Sequence, residues 1–137
     1  MKLIAHHEVS HWVARELATL PPTAAIGFGI MEDGKILAAM SCHTYTEGRN
    51  IYVDTVILDR KAALPLFRAV GRYVFNQLAL PRLTVQTESD NLEAIKLHQK
   101  LGCELEGTLK QAGKSGNDIL ISALWSTNPR WLRFNRK

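Results

Sequence analysis

Asp54 is a carboxylate inside an apolar run, among Tyr52, Val53, Val56 and Ile57. Such a group faces solvent, pairs with a neighbour such as His43 or Arg49, or lines a cleft. In a cleft, partial burial would raise its pKa towards that of a useful general base. His98 is a second candidate. An imidazole on a helix face exchanges a proton near neutral pH, unless it simply packs against a sheet. Asn91 closes the polar turn Glu88–Asn91, where its amide would meet a ligand or cap the next helix; Ser89 and Asp90 compete for the cap. His43 and Tyr45, one strand from Asp54, are candidates to shape a substrate pocket.

His7-Glu8-Val9-Ser10-His11 is a literal HExxH on a predicted helix. That spacing puts two imidazoles on one face and leaves a glutamate to activate water, the chemistry of zinc peptidases. The extended motif with a further glycine and third histidine is absent. A third ligand would have to be Glu16 or a distant acid. The motif is therefore read as a solvated or substrate-facing helix surface, with no metal expected and a zinc peptidase kept as a remote alternative. Arg130, Arg133, Arg136 and Lys137 form a basic tail interleaved with Trp131 and Phe134. These aromatics would stack on bases while the arginines meet phosphates. In the other reading Pro129 starts a short helical cap whose Trp131, Leu132 and Phe134 dock on the domain or on a second subunit. The second reading is adopted, so nucleic acid is not expected as a partner.

The frame for these residues is modest. A chain of 137 residues, 46% hydrophobic and 22% charged, suits one domain with a real core. No apolar run approaches the roughly 20 residues that span a bilayer, so no membrane partner is expected. The apolar part of Met1–Ala5 is too short for a signal peptide. Cys42 and Cys103 form no CxxC pair and are read as buried small residues. Together these place the chain in the cytoplasm. The net charge of +4 suits an anionic ligand such as a nucleotide cofactor.

Leu3-Ile4 ends a first short strand, and three- and four-residue apolar steps predict a helix from about His7 to Leu20, stopped by Pro21-Pro22. Strands over Ala24–Met31, Ile36 to about Tyr45 and Ile51–Leu58 form an antiparallel meander, with turns at Glu32–Lys35 and Glu47–Asn50. Lys61 to Leu78 is the clearest helix, its Arg68, Arg72 and Asn76 opposite the apolar face. A strand over Leu83–Thr87, a helix over Glu93–Leu101 closed by Gly102, and strands over Cys103–Leu109 and Asp118–Trp125 follow. The right-handed crossover rule makes Ile51–Leu58 and Leu83–Thr87 parallel neighbours. The fold class is α/β: a mixed, mostly antiparallel sheet with one parallel strand pair and flanking helices. A ligand cleft is expected at the carboxyl ends of that pair, with Asp59-Arg60-Lys61 at one lip and Glu88 to Asn91 at the other. Residues 1–125 read as one domain and 126–137 as its basic-aromatic tail.

Asn91-x-x-Ala94-x-x-x-His98-x-x-x-Gly102-Cys103, followed by Glu106-Gly107, resembles the Asn-x-x-Ala…Tyr-x-x-x-Gly-Phe pattern and following Glu-Gly of the GNAT superfamily of acyl-CoA N-acyltransferases. The resemblance covers essentially the whole chain up to Trp125. It implies acetyl transfer from acetyl-CoA, as cosubstrate, to an amine of a small molecule or protein. The family's (Arg/Gln)-x-x-Gly-x-(Gly/Ala) loop, whose amides cradle the cofactor diphosphate at a helix N-terminus, corresponds to Arg60-Lys61-Ala62-Ala63-Leu64-Pro65. The arginine is present, while Ala63 and Pro65 replace both glycines; a Cβ hinders close approach and proline has no N–H. The resemblance thus assigns cofactor contacts to Arg60, Lys61, Ala62 and Ala63, to Val56 and Leu58 on the preceding strand, and to Asn91 near the pantetheine arm. It makes Asp54 the base or water-orienting residue and puts His98, in the tyrosine's place, as the acid. Pairing into a homodimer through exposed strands is also implied. The alternative is a GNAT-fold protein that has lost cofactor binding and acts as a macromolecule-binding module.

Overall fold

The computed structural model describes residues 1–20 and 22–136. Pro21, half of the expected helix stop, and Lys137 of the basic tail lie outside the described residues. Seven strands form one sheet: β1 (Lys2–His6), β2 (Ala25–Glu32), β3 (Lys35–Thr46), β4 (Asn50–Ile57), β5 (Arg82–Glu88), β6 (Glu104–Leu109) and β7 (Ile119–Trp125). Their order is β1-β2-β3-β4-β5-β7-β6. All neighbours are antiparallel except β4 and β5, which run parallel. Four helices flank the sheet: α1 (His7–Glu16), α2 (Ala63–Arg72), α3 (Leu92–Leu101) and α4 (Pro129–Asn135). The mixed sheet, its single parallel pair and the flanking helices are those expected from the sequence.

The parallel pairing is short. It joins Tyr52, Val53 and Asp54 to Thr84, Val85 and Gln86 and stops there. Beyond it β4 keeps its bonds to β3 as far as Ile57, and β5 keeps its bonds to β7 as far as Glu88. The sheet therefore divides at Asp54 and Gln86, leaving a wedge between two strand ends. Alternation along the strands gives each face its own core. Val53, Val85 and Leu83 pack under α2, α3 and α4 with Phe67, Leu97 and Trp131. Val56 and Ala39 pack on the other face with Val9 and Val13 of α1. That helix sits close because β2 offers Gly27, where a Cβ would collide with the Ser10 backbone.

Two helices differ from expectation. The helical run predicted to Leu20 ends at Glu16. Ala18 takes a left-handed conformation (φ 56°) and Leu20 is exposed, so the leucine that extended the apolar pattern packs on nothing buried. The long helix predicted over Lys61–Leu78 is three pieces: a 3-10 turn (Arg60–Ala62), α2, and a π-helical turn (Tyr73–Gln77). There the Leu78 N–H donates to Tyr73 O, five residues back. Arg68 and Arg72, expected on a solvated face, instead hold α4. Arg68 lies over the Phe134 ring at 4.5 Å, and Arg72 donates to Asn135 Oδ1 at 2.8 Å. Trp131 of α4 is 2% exposed and belongs to the main core, so its ring is shut off from any base. Leu132 is exposed.

Candidate functional site

A cavity of about 340 Å³ opens at the wedge between β4 and β5. Asp54, His43, Gln86, Thr87 and Glu88 line its sheet side. The segment after α1, residues 17–20, and the β6–β7 loop at Ala112–Lys114 cover it. Those two covers are tied together, since Lys114 Nζ donates to Glu16 O at 2.9 Å. The early end of α1 thus has a consequence: Leu17 to Leu20 leave the helix and wall the cavity.

Asp54 is the last residue of β4 paired with β5. Its Oδ2 lies 2.8 Å from His43 Nε2, both side chains being largely buried. The pairing weighed in the sequence and the cleft position are therefore both realised. The other imidazole nitrogen, Nδ1, lies 2.8 Å from Thr44 Oγ1. The ring stacks on Tyr52 at 6.0 Å. With both imidazole nitrogens engaged, the free lone pairs of the pair are on Asp54. Tyr45 takes no part in this cavity. It is exposed and lines a neighbouring depression with Ala24, Ile51 and Tyr73.

His98 is not beside Asp54. It is 5% exposed on α3, under the opposite face of the sheet, edge-on to Phe67. Its Nδ1 lies 3.3 Å from Thr87 Oγ1 and its Nε2 has no partner among the described residues. Burial pulls its pKa down to about 4, so it is neutral at pH 7. Thr87 both lines the cavity and touches His98. Asn91 caps α3: its Oδ1 accepts from Ala94 N–H at 3.3 Å. Cys42 and Cys103 are free thiols, both pushed up to about 12 by burial.

Three amides of the Asp59–Pro65 segment are bonded within it. Asp59 Oδ1 accepts from Lys61 N–H at 3.1 Å, Asp59 O from Ala62 N–H, and Arg60 O from Ala63 N–H. An anionic cap of the chain's own thus sits on the 3-10 turn that leads into α2, whereas the first residue of α2 has no side-chain cap. Lys61 Nζ is spent on Glu32 at 2.7 Å, a bond that raises the lysine's pKa and lowers the glutamate's. Leu58 N–H is taken by Leu37 O and its side chain is exposed. Val56 is buried against α1. Arg60 is exposed.

His6, His7 and Glu8 bring ligand atoms within 4.8 Å of one another, all exposed. They sit at the N-terminus of α1, while the cavity lies beyond its C-terminus, one helix length away. His6 Nδ1 accepts from Glu8 N–H at 3.1 Å and caps the helix.

No protein-family model matches the sequence, and no curated protein matches it. Solved structures do match. A chimera of the Vibrio cholerae spermidine N-acetyltransferase SpeG and hSSAT superposes with a TM-score of 0.71 at 14% identity, over 98% of this chain and 99% of that one. The Campylobacter jejuni N-acetyltransferase PseH, in complex with acetyl coenzyme A, gives 0.59 at 16% identity, over 77% and 70%. A probable acetyltransferase gives 0.63 at 18% identity over 76% of this chain, which spans only 63% of that protein's length. The protein has the GNAT-superfamily fold.

Proposed function

We propose that this protein is an N-acyltransferase that moves an acetyl group from a thioester to an amine in the Asp54 cavity. The observation that carries the reading is the Asp54–His43 pair at the point where β4 and β5 part. Acetyl-CoA is the donor that the fold's relatives suggest; such a thioester supplies an activated carbonyl and a thiolate leaving group. The chain's own residues do the rest. Asp54, fixed by His43, takes the proton of the attacking amine. In the Nδ1–H tautomer His98 donates to Thr87 Oγ1 and leaves the threonine hydroxyl hydrogen free to donate elsewhere, and the departing thiolate, the stronger base, takes up through solvent the proton that Asp54 has accepted. His98 then acts while neutral, as a positioning group and not as an imidazolium acid. The loop at Asp59 contributes no step.

The test is acetyl transfer from acetyl thioesters to a panel of amines, followed by mass spectrometry, with calorimetry of acetyl-CoA alongside. Acetylated product that disappears in Asp54→Asn supports the reading. No product and no heat at millimolar donor overturns it. That outcome favours the second reading, a GNAT fold without donor binding that contacts a macromolecule, for which the self-capped Asp59 loop speaks. Among the described residues no helix is long and apolar enough to cross a membrane, and the free cysteines suit the cytoplasm. For assembly we propose a homodimer through β6, an edge strand with Leu105 and Leu109 exposed. One V. cholerae spermidine N-acetyltransferase structure is described as dodecameric.

A further inference from the structure

Thr44 follows His43 in β3 with a φ of 54°, in the left-handed region. Among the described residues it is the one β-branched residue there. A side chain branched at Cβ tolerates that conformation worst. The register shows what produces it. His43 pairs with Tyr52 and Thr46 with Asn50, so β3 takes three steps where β4 takes two. The extra residue makes a β-bulge, whose left-handed position ordinarily holds glycine. The turns on either side of β3 do use glycine at positive φ, Gly34 and Gly48. At the bulge the chain keeps a threonine.

In a regular strand successive side chains point to opposite faces, which would keep the Thr44 hydroxyl away from the His43 ring. The bulge instead brings Thr44 Oγ1 to 2.8 Å from His43 Nδ1. Stacking on Tyr52 fixes the plane of that ring. A half-turn about Cβ–Cγ keeps the plane, however, and puts carbons where the nitrogens stand. The Asp54 carboxylate accepts at 2.8 Å from Nε2–H, so the neutral ring has its lone pair on Nδ1. The Thr44 hydroxyl is the donor that fills it. The strained residue therefore carries the bond that selects one orientation of the ring.

We propose that Thr44 is a positioning residue, held in a strained conformation so that its hydroxyl locks His43 with Nε2–H on Asp54. That the lock serves acyl transfer rests on the acyl-transfer reading. The lock itself is tested without an acetyl donor, by proton–nitrogen correlation NMR of the His43 side chain in the full chain. Wild type and Thr44→Ser should show the Nε2–H tautomer with that hydrogen protected from solvent exchange. Thr44→Val keeps the branch and removes the hydroxyl, and its protection should fall about fivefold or more, the worth of one hydrogen bond. Thr44→Gly also removes the strain, so its urea midpoint should rise while the same protection is lost. In turnover with an acetyl thioester and an amine, T44V and T44G should lower kcat about fivefold with KM little changed, and T44S should recover it. An Nδ1–H tautomer in the wild type overturns the lock. So does unchanged protection in T44V, or in T44G should T44V fail to fold, and a lower urea midpoint in T44G overturns the strain. A Thr44-dependent lock with no acetyl product from any amine keeps the lock and overturns the transferase reading. Transfer at the wild-type kcat in T44V does the reverse.

Discussion

The Asp54–His43 pair differs from the usual arrangement in which a carboxylate orients a histidine base. Here both imidazole nitrogens are bonded, Nε2 to Asp54 and Nδ1 to Thr44. Replacing Asp54 by Asn keeps the shape and removes the proton acceptor, so acyl transfer should fall by roughly 10²–10⁴-fold with little change in KM. His43→Gln retains a donor towards Asp54, and its loss should be smaller. Steady-state kinetics on the two variants decides this: a larger loss in His43→Gln would make the histidine the base. Asp54 was legible because a charge inside an apolar strand demands a reason. Thr44 was not. The strand expected to about Tyr45 holds no glycine to mark a bulge, and only the pairing with β4 shows that an extra residue enters there.

Among the elements, the start of α2 departs furthest from the resemblance. Two glycines lost at Ala63 and Pro65 were visible in the sequence. The acidic cap was not, because Asp59 and Arg60 read as a cleft lip until the 3-10 turn sets the carboxylate on the Lys61 amide. On the reading proposed above, with Asp59 on the turn that leads into α2 and Lys61 paired to Glu32, the diphosphate of a CoA donor would rely chiefly on the exposed side chain of Arg60. Acetyl-CoA should therefore outperform S-acetylpantetheine by no more than about tenfold in kcat/KM, because the remote part of the donor finds few partners. Asp59→Gly should improve acetyl-CoA and leave S-acetylpantetheine unchanged. An advantage of a hundredfold or more for acetyl-CoA in the wild type would show that the loop opens on binding. The short helix α4 was legible from Pro129, and so was the docking of its Trp131 and Phe134 on the domain; the contacts from Arg68 and Arg72 were not, since these two lie opposite the apolar face of their helix until α4 covers them. Trp131 packs on Phe67, Phe75 and Phe134. Trp131→Ala should cost about 3–5 kcal/mol in denaturant unfolding; a loss below about 1 kcal/mol would mean that α4 is only loosely docked.

At the scale of the molecule the crossover rule was enough to predict the parallel pair, because its handedness leaves few alternatives. The rule says nothing of where pairing stops, which opens the wedge, while alternation along the strands is what puts Asp54 and His98 on opposite faces. The separation has a consequence for global stability. His98 is buried against Phe67 and Thr87, with no carboxylate to favour its charged form, and its pKa falls from 6.5 to about 4. Above pH 6.5 neither folded nor unfolded chain protonates it, and the folded state keeps its full stability. As pH falls from 6.5 towards 4, the unfolded chain takes up a proton that the folded chain refuses, so stability drops. Below about 4 both states are protonated and the loss levels off. The full change is roughly 3 kcal/mol. Urea unfolding between pH 7.5 and pH 4 should show this fall in the wild type and a shallower one in His98→Gln, which cannot titrate; other groups contribute equally to both chains and cancel in the difference. Parallel curves would mean that His98 gains a proton in the folded state as readily as in the unfolded one. Its place beneath the wedge would then be open to water, and an imidazolium there could serve the leaving group directly.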